Sequence, residues 1–131
     1  MSDADLWLFL PVGYLFTVAV EAPVLFLCLS RRHPPRRRLF AGLWLTACTY
    51  PIVVLVLPVI FEGAPRAAYL AAAETFAPLA ECALFWLAFG GEAGGVRPPV
   101  WRDFAAVTAA NVLSFLAGEA AARFGWFGLF G

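Results

Sequence analysis

The sequence predicts an all-α, polytopic membrane protein with four transmembrane helices. Of its 131 residues, 63% are hydrophobic and 14% are charged, whereas about half of an ordinary soluble domain is apolar. Four apolar runs cover residues 6–29, 39–61, 67–89 and 104–124. Each can cross a hydrocarbon core about 30 Å thick, since a helix rises about 1.5 Å per residue. The connections are too short for a second domain, so residues 1–131 should form a single four-helix transmembrane domain.

The arginines predict how these helices are oriented. All nine basic residues are arginine; five lie within Arg31–Arg38 and two more, Arg97 and Arg102, lie in the third connection. Arg66 and Arg123 lie at the opposite ends of the helices. Because cytoplasmic loops are enriched in Arg and Lys, loops 30–38 and 90–103 should be cytoplasmic and both termini outside. We expect a multi-pass protein of the inner, cytoplasmic membrane.

The first connection is expected to form a stiff, basic, extended turn. In the simpler interpretation, this segment only determines the topology of the protein. In the more specific one, Arg31–Arg38 binds anionic lipid or an acidic partner. His33 lies beside five arginines and is expected to be a solvated loop residue. We expect no nucleic acid partner, because a short segment pressed against a membrane offers no docking surface.

The first and second helices each combine polar residues with a proline. Glu21 lies two residues before Pro23, and a proline inside a spanning helix frees the carbonyl four residues earlier. Thr46 and Thr49 share a helix face, and Pro51 follows them. These threonines are expected either to bond back to their own helix or to contact a neighbour across a packed seam.

The third helix carries two carboxylates seven residues apart, Glu74 and Glu81, which therefore share a face. A carboxylate in hydrocarbon costs about 2.5–3.5 kcal/mol even on lenient scales, so each is by default a functional-site hypothesis. On the fourth helix, Asn111 and Ser114 share a face, and the spacing from Ser114 to Gly118 favours close helix approach. Beyond them, Glu119 and Arg123 are spaced to neutralise each other.

Helices three and four repeat the pattern of helices one and two. Glu21 aligns with Glu81 at an offset of 60 residues, and Thr46-x-x-Thr49 aligns with Asn111-x-x-Ser114 at an offset of 65. This predicts two parallel two-helix repeats related by a pseudo-two-fold axis along the membrane normal. The alternative is chance similarity, because Leu, Ala and Phe are abundant.

The repeated residues lie about 12–15 Å from the cytoplasmic ends of their helices, which predicts one polar layer. The candidate binding residues are Glu21, Glu81, Asn111, Ser114, Thr46, Thr49 and Glu74. Glu74 lies two turns nearer the outside and is interpreted as an access residue or a hydrogen-bonded helix contact.

The order of these motifs resembles small four-helix bacterial and archaeal integral membrane proteins of no established activity. The shared pattern is Glu-x-Pro, Thr-x-x-Thr-x-Pro, Glu-x6-Glu and Asn-x-x-Ser, and it extends from Glu21 to Gly118. The usual second-helix motif of that group is Asn-Leu-x-Thr-Asn-Pro. This sequence departs from it at Thr46 and Tyr50, where the pattern has Asn, so the resemblance implies a polar layer with fewer amides and adds no chemistry.

Two functions remain open from the sequence. Two glutamates at one depth, without a basic residue in the bilayer centre, cannot both stay ionised and unpaired. The first hypothesis is therefore a cation or proton binding or translocation element, with a homodimer or larger membrane complex completing any pore. The second is a non-transporting scaffold or accessory subunit whose polar layer fixes helix packing.

Enzymatic activity is not expected, since the sequence contains no Ser/His or Cys/His set. No cofactor is predicted beyond a hard cation or proton, which oxygen ligands suit better than zinc or copper. Any metal ligands would be Glu21 and Glu81.

Overall fold

Four long helices follow one another in the computed structural model, which describes residues 3–29, 33–89 and 100–125. The first helix is Asp3–Cys28, the third long helix is Arg66–Phe89 and the fourth is Val100–Arg123. The second comprises Pro35–Pro51, a π-helical segment Ile52–Val56 and a last α-helical turn Leu57–Ile60. In the described residues, four segments are long and apolar enough to cross a membrane: Trp7–Cys28, Pro35–Ile60, Arg66–Ala88 and Trp101–Arg123. We call them spans one to four; the all-α, four-span prediction is confirmed.

Each span packs against two neighbours, so that spans one, two, three and four form a ring in chain order. Contacts at the helix ends show that successive spans alternate in direction. Arg66, which begins span three, contacts Glu119 near the end of span four, and Arg102, which begins span four, contacts Cys28 at the end of span one. We call the two ends of the bundle the Arg66 end and the His33 end.

Span two begins earlier than expected and changes helix type at its middle. Proline suits the first turn of a helix because it has no N–H to satisfy, and Pro35 begins the helix here. The last three arginines of Arg31–Arg38 therefore lie in a helical turn, and the prediction of an extended turn through them is wrong. The π-helical segment follows Pro51 directly, where the missing proline N–H disturbs the normal ladder. The Tyr69 hydroxyl donates to the Val53 carbonyl oxygen at 2.9 Å and ties this segment to span three.

The apolar core fills the half of the bundle nearer the His33 end. Its buried members come from all four spans and are Leu25, Leu29, Ala41, Leu45, Phe85, Ala106, Val107 and Ala110. Large apolar side chains also lie on the outside, such as Leu27 and Leu87, which are 72% and 73% exposed. Outward apolar side chains suit helices whose surroundings are lipid rather than water.

Spans one and two approach each other closely at Gly42. A Cβ atom there would lie 2.9 Å from the Cα of Ala22, whereas a Cβ at Gly118 would meet nothing within 4 Å. The prediction that Gly118 permits close helix approach is therefore wrong. Spacing identifies a small residue on a face, but only packing shows whether a neighbour uses the gap.

His33 is buried at its end of the bundle, and the prediction of a solvated histidine is wrong. Its Nε2 lies 3.2 Å from Asp103 Oδ2, and both side chains are 3% exposed or less. The ring also meets Phe85 edge-on, with centroids 5.0 Å apart. Arg38 accounts for much of this placement, because its Nε donates to the His33 carbonyl oxygen at 3.1 Å and its Nη1 to that of Phe26.

Candidate functional site

Two buried glutamates face span two from its two neighbours. Glu21 on span one and Glu81 on span three are each 2% exposed. Thr46 Oγ1 lies 3.2 Å from Glu21 Oε2, and Thr49 Oγ1 lies 2.9 Å from Glu81 Oε2. The two threonines are less than one helical turn apart, so span two joins both carboxyl groups at nearly one depth.

Each of the two threonine hydroxyls lies within hydrogen-bond distance of two oxygens but has only one proton to donate. Thr46 Oγ1 also lies 2.9 Å from the Gly42 carbonyl oxygen, and Thr49 Oγ1 lies 3.1 Å from that of Leu45. A hydroxyl has one proton and two acceptor lone pairs. If it donates to the carbonyl four residues earlier, as threonine in helices often does, a protonated glutamate can donate to its free lone pair. Protonated carboxyl groups thus satisfy both hydrogen bonds of each threonine hydroxyl, whereas ionised ones compete with the backbone for the same hydroxyl proton.

Span four completes the layer with an amide and a hydroxyl. Asn111 Nδ2 donates to the Val107 carbonyl oxygen at 2.9 Å, and Ser114 Oγ donates to the Asn111 carbonyl oxygen at 3.0 Å. Ser114 lies near Glu21 and Asn111 lies near Glu81. Each glutamate therefore has one polar neighbour on span two and one on span four.

A cavity of about 130 Å³ lies within this layer. All seven candidate binding residues line it, together with Thr17, Tyr50, Val53, Ala73, Ala77 and Phe115. Within the described residues, Glu21 Oε1 is buried without a hydrogen-bond partner. Since a water molecule occupies about 30 Å³ of liquid volume and needs polar partners, the cavity has both the room and the groups to hold water.

A second cavity of about 280 Å³ continues from this one towards the Arg66 end. Seven residues line both cavities: Thr17, Tyr50, Val53, Ala73, Glu74, Ser114 and Phe115. We call the first the inner cavity and the second the outer cavity. Glu74 lies where they meet, which is the position expected of an access residue.

An ion pair lies beside the outer cavity. Arg66 Nη2 lies 2.7 Å from Glu119 Oε1, and both residues line the cavity. In the described structure Glu119 pairs with Arg66, so the prediction that Arg123 neutralises it is wrong. The two partners are 53 residues apart, and no spacing in the sequence identifies such a pair.

The layer is open on one side and closed on the other. The outer cavity leads from the glutamates towards Arg66, while the apolar core fills the bundle between them and His33. The seven-residue spacing from Glu81 to Glu74 corresponds to about 10 Å along the helix. In this conformation, the carboxyl groups are therefore reached from the Arg66 end.

The oxygen-rich layer suits a proton or a hard cation better than a transition metal. Over residues 3–29, 33–89 and 100–125, no group of three His, Cys, Asp or Glu side chains could hold a metal ion. Sequence reasoning did not assign Tyr50 to the site, although it lines both cavities. Its hydroxyl is buried without a hydrogen-bond partner in the described residues and packs where a Cβ at Gly13 would overlap it.

No protein-family model matches the chain, and neither curated proteins nor solved structures gave a match. The resemblance to small four-helix membrane proteins therefore stays a prediction.

Proposed function

We propose that this small polytopic membrane protein binds and releases protons at Glu21 and Glu81, which are reached through the two cavities. The observation that carries the proposal is Glu21 Oε1, a buried acceptor with no partner in the described residues, on a side chain that lines the inner cavity with Glu81. In a purely structural layer, this oxygen would accept a hydrogen bond from a neighbouring side chain. At a site that exchanges protons, it can instead accept one from water in the inner cavity.

A proton fits this site better than a metal ion. None of the residues lining the inner cavity is basic, so two ionised glutamates there would repel each other without compensation. A proton on each carboxyl removes that charge and completes the threonine bonds. A hard cation such as Na⁺ would use the same oxygens and is the alternative that the experiment distinguishes from a proton.

The proposed architecture is a pair of parallel two-helix repeats. Gly13, Glu21 and Leu25 are buried in span one, and Ala73, Glu81 and Phe85 are buried 60 residues later in span three. The polar neighbours follow the same relation: Thr46 and Ser114 accompany Glu21, as Asn111 and Thr49 accompany Glu81. These correspondences support a pseudo-two-fold axis between the glutamates.

The proposed orientation has both termini outside and the Arg66 end facing the outside of the cytoplasmic membrane. It rests on the positive-inside rule, with loops 30–38 and 90–103 cytoplasmic. Exposed Arg36 would then face the cytoplasmic leaflet, where anionic lipid is the proposed partner of Arg31–Arg38. A homodimer or larger membrane complex and the absence of enzymatic activity also remain proposals.

The proposal is tested by measuring the protonation of each glutamate. Infrared difference spectra of the protein in lipid nanodiscs, recorded while pH is varied, should show protonated carboxyl C=O bands. Glu21→Gln and Glu81→Gln should each remove one band and abolish proton-dependent or cation-dependent flux or stabilisation in proteoliposomes. Glu62→Gln is the matched control, because Glu62 is exposed in the turn before span three.

Two outcomes would refute the proposal. One is that both Gln variants retain the wild-type bands and flux. The other is a Na⁺-dependent stabilisation without any titrating carboxyl band, which would replace the proton by a cation.

A second function is favoured by the bonds that cross between spans. Thr46–Glu21 joins spans one and two, and Thr49–Glu81 joins spans two and three. Such bonds also suit a non-transporting scaffold or accessory subunit, in which protonated carboxyl groups only fix helix register. For a scaffold, Gln at both positions should preserve fold and function, whereas Leu should disturb packing.

A further inference from the structure

The outer cavity carries an uncompensated acidic group. Its acidic and basic lining residues are Arg66, Glu74 and Glu119, and Arg66 and Glu119 neutralise each other in their ion pair. Glu74 is half-buried and has no hydrogen-bond or ion-pair partner among the described residues. A carboxylate held beside a cavity without a basic partner favours a cation there.

Apart from Thr17 and Ser114, the rest of the cavity wall is aromatic or apolar. Five aromatic side chains from all four spans line it: Phe9, Phe16, Tyr50, Tyr69 and Phe115. The faces of aromatic rings attract cations, most strongly where water is excluded. A metal ion or a proton makes little use of such a wall, whereas an organic cation uses its charge and its apolar surface together.

The cavity also has the space for a molecule larger than water. Its volume is about 280 Å³, close to the lower end of the ~300–1,000 Å³ typical of small-molecule sites. Gly118 helps to keep it open, because it lines the cavity and a Cβ built on it would meet nothing within 4 Å.

From these observations we infer that the outer cavity binds a small organic cation, one with an ammonium group and an aromatic or apolar portion. Glu74 provides the counter-charge and the aromatic side chains enclose the rest. This site goes beyond the proposed proton site: it requires the charge of Glu74 and the open space at Gly118, and it does not require Glu21 or Glu81 to titrate.

The test is equilibrium binding of radiolabelled benzyltrimethylammonium to the full chain in lipid nanodiscs, with empty nanodiscs subtracted. We expect saturable binding that unlabelled benzyltrimethylammonium displaces. Tetramethylammonium, which lacks the ring, should compete more weakly, and benzenesulfonate, an anion of similar size, should not compete.

Two variants examine the charge and the space separately. Glu74→Gln keeps the shape but removes the charge, and should weaken binding by about tenfold or more. Gly118→Leu extends a side chain into the cavity from a position where a Cβ meets nothing within 4 Å, and it should abolish saturable binding while leaving thermal unfolding unimpaired. Glu62→Gln, at the same end of the bundle but outside both cavities, should bind as the wild type does.

Three results would overturn the inference: no saturable binding, wild-type affinity in Gly118→Leu, or equal competition by benzenesulfonate. If Glu74→Gln fails to fold, the cavity-filling variant and the anion still decide the question. Infrared titration of Glu21 and Glu81 in Gly118→Leu should be unchanged, so failure of this site and failure of the proton site are read separately.

Discussion

The bond between Thr49 and Glu81 offers the sharpest test of how the polar layer is held together. Its two oxygens are 2.9 Å apart, and both residues are 3% exposed or less. Thr49→Val keeps the shape of the side chain and removes the oxygen. The lost bond costs about 0.5–1.5 kcal/mol, and a carboxyl left unsatisfied adds to that. We therefore expect Thr49→Val to lower the free energy of unfolding by about 1–2 kcal/mol.

A double-mutant cycle isolates the pair from other effects of the substitutions. Thr49→Val, Glu81→Met and the double variant would be unfolded reversibly in mixed detergent micelles. Bonds between membrane helices average about 0.6 kcal/mol and reach about 1.7 in such cycles. We expect a coupling energy of about 1 kcal/mol, since this bond is short and fully buried.

Thr108 is the matched control for this cycle. It is exposed on span four, and its hydroxyl donates to the Phe104 carbonyl oxygen of its own helix at 2.9 Å. Thr108→Val should change stability by less than about 0.5 kcal/mol and should show no coupling to Glu81. If Thr49→Val changes stability as little as Thr108→Val does and shows no coupling to Glu81, the Thr49 hydroxyl bonds only to its own helix. The hydrogen bond between Thr49 and Glu81 is then refuted.

Three further predictions concern packing and the buried hydrogen bond between His33 and Asp103, and all are measured as unfolding free energies in detergent. Gly42→Val should destabilise the protein by about 1–3 kcal/mol through overpacking against span one; a smaller loss would mean that the two spans can separate. Gly13→Ala should overlap the Tyr50 hydroxyl, so Tyr50→Phe should recover part of the lost stability, and no recovery would place the clash elsewhere. His33→Ala should cost about 1–3 kcal/mol because it removes a buried hydrogen-bond partner of Asp103, whereas replacing both by Leu should cost less; equal losses would contradict the pairing.

The periodicity of the chain was enough to predict the helices and the polar layer. Hydrocarbon accepts only self-satisfied helices of about 20 apolar residues, so four such runs in one sequence have few alternative structures. A glutamate within such a run is costly when it faces lipid. This pressure explains why Glu21 and Glu81, identified by residue type and depth alone, lie in one cavity.

The side-chain partners could not be predicted in this way. Arg66 had Glu62 four residues before it, and Glu119 had Arg123 four residues after it, yet Arg66 and Glu119 pair across the bundle. The sequence predicts a solvated His33 because five arginines lie beside it. The turn before Pro35 instead places its side chain at the end of the bundle, against Asp103. Local spacing describes neighbours on one helix, whereas these contacts depend on how two helices are rotated about their axes.

The sequence by itself determined the class of protein, the number of spans and the layer of acidic and hydroxyl groups, because burying charge in lipid constrains composition strongly. Only the tertiary structure decided that this layer adjoins a cavity on the Arg66 side and an apolar core on the His33 side. Helical periodicity predicts on which face of its helix a residue lies and at what depth in the membrane. Whether the space beside it is filled depends on the shapes of side chains from four helices at once, as Gly42 and Gly118 show.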